Sequence, residues 1–530
     1  MTDDASRAGV AEVLAYHDRT KHAFDRFAPA LGYLDWATQP DPFRRYAGAP
    51  VVELPRRVPA AATAGPLTLD TLGECLRCAF GLTAWKQAGA SRWALRSNPS
   101  SGNLHPTEAY VVAPEVTGEG WRVSHYAPRE HALEQRAALG SVVPACPAGV
   151  CLVGLSSVHW REAWKYGERA FRYCQHDVGH AIGALIYAAT TLGWRVRLLD
   201  GWSDADVAAL LGVDRPLPKG VEVEHPDCLL AVGPGDVDAV VWSAPDPWLS
   251  AARVASWQGD ANALSPSHVE WPAIDAVTVA TQRVTRAAPV GRTHAGDSAH
   301  DVDPVGREWL IRRRSAVAFD GRGRLDHRAF ARMAARLIPG GHPGSGLGPS
   351  PVWAALPWEP RIHPIWFVHR VDGLAPGIYA QPRVPSAISA LRAGLRSDLL
   401  WEPVAGFDGL FLLAPLDARG LARRLSCDQD IAADGFIGMA MLAPLASALD
   451  AHGPACYREL FWESGLIGQV LYLEAERSGG RATGIGCFYD DAVHDVLGIT
   501  GHTLQSLYHF SMGEPVEDRR LTTEPGYAWD

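Results

Sequence analysis

The sequence predicts an α+β protein built as two fused halves, each a mixed sheet covered by helices. Three observations carry this reading. The chain of 530 residues is longer than one hydrophobic core usually serves, roughly 250–300 residues. A set of short segments recurs in the same order in both halves. Between them, Ala/Leu-rich stretches with helical spacing alternate with short β-branched runs, the pattern of helices packed on a sheet.

The repeat fixes the organisation. Gly179-His-Ala-Ile-Gly183 opens a long apolar run ending near Trp194, and Leu211-Gly-Val213 follows 32 residues after Gly179. In the second half Gly465-Leu-Ile-Gly468 opens a similar run, and Leu497-Gly-Ile499 again follows 32 residues after Gly465. Equal spacing without a gap points to duplication. Apolar residues recur at helical intervals in each run, Ile182, Leu185, Ile186 and Ala189 in one and Ile467, Leu471 and Ala475 in the other. Each run therefore reads as a core helix whose glycine-marked N-terminus can also meet a ligand. Further out, Arg19-Thr20 to Phe24 parallels Arg314-Ser315 to Phe319, and His105-Pro106 before a strand-like 108–113 parallels His363-Pro364 before 365–369. Residues 241–305, rich in Pro, Ser, Ala and Asp and without sustained period apart from a short helix near 249–257, read as a linker. The expected division is 1–240, 241–305 and 306–530.

Composition narrows the function. With 47% hydrophobic and 20% charged residues the chain is a packed globular protein. A net charge of −10 without a long Lys/Arg run gives no footprint for nucleic acid or an anionic membrane, so the expected partners are small molecules or protein surfaces. Nine cysteines, odd in number and scattered from Cys75 to Cys487, do not form the framework of a secreted disulfide domain; a reducing cytoplasm is expected. Cys75 and Cys78 have zinc-knuckle spacing, but no second pair completes a ligand set, and no metal is expected. The N-terminus lacks the apolar core of a signal peptide. The most apolar stretch, 435–449, is 15 residues, short of the roughly 20 needed to span a bilayer, and reads as a buried helix.

Several motifs carry chemistry. Arg96-Ser-Asn-Pro-Ser-Ser-Gly-Asn-Leu-His-Pro106 resembles the PSSGNLHP-type flavin loop of the nitroreductase superfamily, although an ordinary Ser/Gly/Asn turn before a strand has the same composition. The resemblance implies that Pro99, Ser100, Ser101, Gly102 and Asn103 border a flavin ring, with Gly102 allowing close approach and the Ser and Asn groups offering donors and acceptors. Arg313-Arg314-Ser315-Ala-Val-Ala-Phe319 is similar to the RRSxRxF segment that holds the FMN phosphate and ribityl chain, since guanidinium forks match phosphate oxygens. Val317 stands where the pattern has a third arginine; Arg519 and Arg520, which resemble the family's basic C-terminal end, are candidates to supply it. A solvated charged face is the competing reading of each arginine cluster. Glu463-Ser464-Gly465, read as heading the second-half helix, resembles the segment beside the reactive N5 of the flavin, where free helix N–H groups suit an electron-rich ring.

The halves diverge in a complementary way. The first keeps the ring loop but has Asp18 and Arg19 opposite Arg313 and Arg314; the second keeps the arginines, but Pro357-Trp-Glu-Pro-Arg361 replaces the loop. Family homodimers hold each FMN between two subunits, so the resemblance implies an intramolecular pseudo-dimer with one composite site and one vestigial site. Trp164-Lys-Tyr-Gly-Glu-Arg-Ala-Phe-Arg-Tyr173 looks like the KYGER-type segment of the SagB/ThcOx azoline-dehydrogenase group, in which a Lys-Tyr pair is implicated in catalysis. Lys165 and Tyr166 are the corresponding candidates, a base and a relay or hydrogen-bonding phenol; a surface pair on a helix with Arg161, Glu162, Glu168 and Arg169 is the alternative. The expected activity is FMN-dependent dehydrogenation of a peptide-derived azoline or related ring in natural-product biosynthesis. NAD(P)H-dependent reduction of nitro compounds, quinones or enones, or a non-catalytic flavoprotein subunit of a biosynthetic complex, are the alternatives. Expected partners are a small-molecule or peptide substrate and biosynthetic partner enzymes, with assembly beyond the fused pair left open.

Overall fold

The computed structural model describes residues 3–56, 65–115, 120–140, 147–241, 245–284, 286, 305–341 and 350–530. Two seven-stranded sheets dominate. Across the first, the order is Val51–Glu53, Ala132–Gly140, Trp121–Ala127, Thr107–Pro114, Cys151–Ser157, His225–Gly233, Arg195–Leu198. Across the second it is Glu402–Pro403, Phe411–Pro415, Gly377–Ala380, His363–Val368, Ile437–Ala443, Gln505–Gly513, Arg481–Ile485. The strands after His105-Pro106 and His363-Pro364 take the same central place, so the sequence repeat is a repeat of topology.

The sheets are not mixed as expected. All neighbours in both pair antiparallel. The helical crossover from Cys151–Ser157 to Arg195–Leu198 does bring back a strand running parallel to the first, but His225–Gly233 inserts between them, antiparallel to both. Gln505–Gly513 does the same between Ile437–Ala443 and Arg481–Ile485. A third, smaller sheet joins the halves: Thr522–Pro525 adds to the hairpin Leu82–Ala88 and Ser91–Arg96.

The centre of the molecule is the crossing of two long helices, Ala170–Thr191 and Cys456–Arg477. The repeated glycines sit at this crossing and not at helix starts, which corrects the sequence reading. A Cβ on Gly179 would stand 2.2 Å from the Trp462 carbonyl oxygen, and one on Gly465 would stand 2.2 Å from that of His176. Only glycine lets the two backbones approach this closely. Ile182, Leu185, Leu466, Ile467 and Val470 share one buried core around the crossing, while each sheet has a separate core on its other face.

Charged pairs lock the halves in a crossed fashion. Arg172 of the first helix donates to Asp490 at 2.8 Å, and Arg458 of the second donates to Asp204 at 2.6 Å. All four residues are buried. Each aspartate also accepts a backbone N–H, Asp490 from His22 and Asp204 from Arg283. Buried ions need such partners, because an unpaired charge in the interior is very costly.

Two further expectations need correction. The linker is largely folded: helix Asp246–Val254 buries Trp248 and Leu249 in the outer core of the first sheet, and Pro272–Ala280 packs Ile274 and Val277 into the central core, beside Asp3–Arg19. Residues 242–244, 285 and 287–304 of it lie outside the described residues. The apolar run 435–449 is a strand, Ile437–Ala443, followed by a helix, Leu445–His452. Pro444 divides them, since proline lacks an N–H and keeps the preceding residue out of the helical region. Among the described residues no helix is long and apolar enough to cross a membrane.

Candidate functional site

A cavity of about 440 Å³ lies between the halves, within the size range of cofactor sites. The first half contributes Pro99 to Asn103, Tyr166, Tyr173 and Asp177; the second contributes Arg313, Arg314, Ser315, Tyr472 and the turn around Cys487. Every predicted residue of the ring loop and of the arginine segment thus borders one space.

The loop is held from beneath by a carboxylate. Asp177, on the first-half helix, accepts from the Ser101 backbone N–H at 3.0 Å and from the Ser101 hydroxyl at 3.1 Å. The His105 N–H donates to the Ser100 hydroxyl at 2.8 Å, and the Asn103 side-chain amide donates to the Ala94 carbonyl at 2.9 Å. The polar side chains of the loop therefore hold its shape while bordering the cavity. Gly102 and Asn103 both have left-handed backbone, φ 58° and 60°. A side chain at Gly102 would collide with the predicted catalytic pair: its Cβ would lie 2.6 Å from the Tyr166 hydroxyl and 3.1 Å from Lys165 Nζ. The pair is packed against the loop from its own half, with the ammonium 5.2 Å from the Tyr166 ring centre.

The arginines give the cavity its charge. Arg313 is buried and donates through Nε and Nη2 to the carbonyls of Ser97 and Arg96, which leaves Nη1 buried without a partner. Arg314 donates to the carbonyls of Ile311, Arg313 and Thr83. Arg96, which opens the loop motif, donates to the Pro42 carbonyl and keeps Nε unpartnered. Among the described residues none of the three is in an ion pair. Burial pushes the Arg96 and Arg314 guanidiniums down to about 10, and the more distant carboxylates Glu108 and Glu476 offset the loss of water only in part. Asn98 Oδ1 is a further buried atom at the cavity without a partner. Three guanidiniums outside any ion pair and spare polar atoms fit an anionic ligand with a polar ring edge.

Two carboxyls missed by the sequence reading lie behind the loop. Glu162 shares the helix His159–Tyr166 with Lys165, and the Ser100 hydroxyl reaches it at 3.5 Å. Burial, reinforced by Asp177, raises Glu162 well above the usual carboxyl range; burial alone raises Asp177 to about 7, against the hydrogen bonds from the serines. Burial also holds the Tyr166 phenol far above its ordinary value, so it is a donor and not a base. Nothing in the local sequence marks Asp177, which lies 76 residues from Ser101.

Six predicted site residues do not border the cavity; Lys165 is one, packed next to Gly102, and the other five fall elsewhere. Glu463, Ser464 and Gly465 are well inside the helix Cys456–Arg477, where backbone N–H groups are already bonded, and none borders the 440 Å³ cavity. Glu463 instead accepts from the backbone N–H groups of Arg361 and Ile362 at 3.0 Å and pairs with Arg383. It does for the second-half loop what Asp177 does for the first. The Ser464 hydroxyl bonds to the Leu460 carbonyl. Arg519 and Arg520 are exposed at the surface, and Arg520 is neutralised by Asp518 at 2.7 Å. The neighbouring Pro515 to Asp518 border the cavity in their place.

The second half has its own larger cavity, about 730 Å³, against Pro357 to Arg361. Here Trp358 and Pro360 stand where the first loop has Ser100 and Gly102, and the cations are balanced: Arg361 and Arg283 both pair with Glu459, at 2.9 and 2.6 Å. Size alone does not make this the anion site. Among the described residues no group of three or more His, Cys, Asp or Glu could hold a metal ion.

Comparison with known proteins agrees with the fold. Residues 61–234 match the nitroreductase family model. A protein described as a nitroreductase, MJ1384 of Methanocaldococcus jannaschii, is 26% identical over 193 residues, covering 34% of this chain and 88% of its own. A crystal structure described as a nitroreductase from Anabaena variabilis superposes with a TM-score of 0.71 at 22% identity, over 95% of this chain and 99% of the other. The Escherichia coli microcin synthetase McbBCD complex matches 44% of this chain and 77% of its own at 17% identity, with a TM-score of 0.30. The nitroreductase family is one whose members use FMN.

Proposed function

We propose that this chain is an FMN-dependent oxidoreductase of the nitroreductase type, made of two fused nitroreductase-like domains with cores in 1–240 and 306–530, and that it dehydrogenates a peptide-derived azoline or related ring. The observation that carries the reading is the set of three guanidiniums outside any ion pair at one cavity that Tyr166 borders, with Lys165 Nζ packed next to Gly102 of its wall. When bound, FMN supplies a two-electron acceptor. Arg313, with Nη1 to spare, and Arg314 would hold its phosphate, and the Ser97–Pro106 loop, held by Asp177, would border the ring. In its neutral amine form Lys165 Nζ takes the proton from the substrate carbon, and the Tyr166 hydroxyl, kept protonated by burial, donates a hydrogen bond that orients the substrate. The balanced charges of the larger cavity support a single flavin per chain.

A second reading, NAD(P)H-dependent reduction of a nitro, quinone or enone substrate, is favoured by the family match of 61–234 and uses the same residues with electrons flowing the other way. Flavin release from the purified chain, followed by anaerobic stopped-flow mixing, decides between them. One FMN per chain, reduced by a thiazoline peptide and not by NAD(P)H, is the expected result. Rapid bleaching by NAD(P)H alone would assign the reductase. A colourless chain that takes up no FMN would overturn both.

A further inference from the structure

Eight cysteines lie among the described residues, and six of them are buried. Cys427 and Cys487 are the partly exposed ones, and they face each other with 2.8 Å between sulfurs. They come from segments 60 residues apart that the fold holds in register. The Gln429 amide bridges the carbonyls of Ser426 and Cys487, at 2.8 and 3.1 Å, and the Tyr489 N–H donates to the Leu425 carbonyl at 2.9 Å. Cys427 and Asp428 both adopt left-handed backbone, φ 54° and 57°, in the turn that presents Cys427 to Cys487. Cys487 borders the 440 Å³ cavity and is partly exposed.

The two thiols are not equivalent. His22 Nδ1 accepts from the Ala28 N–H at 2.9 Å, which fixes the proton on Nε2, the side directed at Cys487. Arg169 adds positive charge, although Asp490 offsets it, and Tyr166, Tyr173 and Tyr489 are further titratable neighbours. Hydrogen bonding from Cys427, then from His22, holds the Cys487 thiol below its ordinary range. Cys427, which shares the hydrogen bond with Cys487 and is partly buried, is pushed the other way. The arrangement is that of an attacking thiolate with a resolving thiol beside it.

We propose that Cys427 and Cys487 form a peroxide-reactive pair in the cavity wall, Cys487 as the attacking sulfur and Cys427 as the resolving one. The Cys487 thiolate attacks one oxygen of hydrogen peroxide or a small hydroperoxide, the O–O bond breaks, and the departing oxygen leaves as water or alcohol after taking a proton. Cys487 is then a sulfenic acid. The Cys427 sulfur attacks it, the S–O bond breaks, and the departing hydroxide takes the Cys427 proton and leaves as water. Two thiols are oxidised by two electrons in all, and one peroxide is reduced. None of this depends on flavin.

The test is peptide mapping of the full chain after a short exposure to equimolar hydrogen peroxide and capping of remaining thiols. A 427–487 linked peptide is expected as the main oxidation product. In Cys427→Ser the link is lost and a dimedone-trapped sulfenic acid accumulates at Cys487; in Cys487→Ser neither product forms. Unchanged alkylation of both cysteines in the unmodified chain would overturn the proposal, as would dimedone labelling of Cys427 equal to that of Cys487 in the two single variants. The mapping of the unmodified chain stands even if a variant folds poorly.

Discussion

Replacing Arg314 with alanine tests the assignment of the anion site most directly. The guanidinium makes three hydrogen bonds, all to backbone carbonyls, and no carboxylate shares its charge. A bound phosphate would therefore meet an undivided cation. A charge-assisted hydrogen bond contributes roughly 1.5–3 kcal/mol, which predicts FMN dissociation constants about 10- to 150-fold weaker in the variant. Because the group is partly exposed, the loss should shrink as ionic strength rises. Titration of apoprotein with FMN, followed by quenching of flavin fluorescence at two salt concentrations, gives both numbers. Arg19→Ala is the control. Arg19 is mostly exposed and already paired with Glu168, so its removal should leave FMN affinity within about twofold, as surface ion pairs contribute little. Equal losses in the two variants would refute the assignment of the phosphate to the second half, and no loss in either would remove the arginines from the site.

Other perturbations probe separate parts of the argument. Gly179→Ala or Gly465→Ala should lower stability by about 1–3 kcal/mol or more, although alanine favours a helix, because the new Cβ meets a backbone carbonyl that cannot rotate away; an unchanged Tm would refute the close crossing. Asp177 binds its proton more tightly folded than unfolded, so its contribution is fully present below about pH 4 and falls by up to about 4 kcal/mol as pH rises to about 7. Urea melts should therefore show Asp177→Asn gaining on the unmodified protein across that window, and a constant gap would contradict the raised pKa. Lys165→Ala and Tyr166→Phe should retain FMN but slow substrate-driven flavin reduction by about 10²–10⁴-fold, with reoxidation by oxygen largely unchanged; reduction at the original rate would leave the pair a merely structural contact with Gly102.

What the sequence disclosed follows from the range of the interactions involved. The loop before His105 and the arginine segment are short contiguous motifs, so they were legible, and their convergence on one cavity could be anticipated from their split between halves. The helix-start reading of Glu463-Ser464-Gly465 failed because the glycine answers to a neighbouring helix and not to its own: its nearest contact is His176, far away in the chain. Asp177 and Glu162 stayed hidden for the same reason, since a buried acid in an amphipathic stretch looks like any other until the serines that bond to it are located. The helix Pro272–Ala280 was missed because nine residues are too few to display a convincing period, yet they suffice to bury Ile274 and Val277 against the central core.

The crossed pairs Arg172–Asp490 and Arg458–Asp204 bear on how such a molecule can change over generations. In an assembly of identical subunits a codon change is expressed at every symmetry-related position, so both ties would be altered at once. Here each tie has its own pair of codons. A mutation can loosen one while the other keeps the halves together, and the two cavities are exposed to selection independently. That separation is enough to let one loop keep its glycine and serines while the other acquires Trp358 and Pro360.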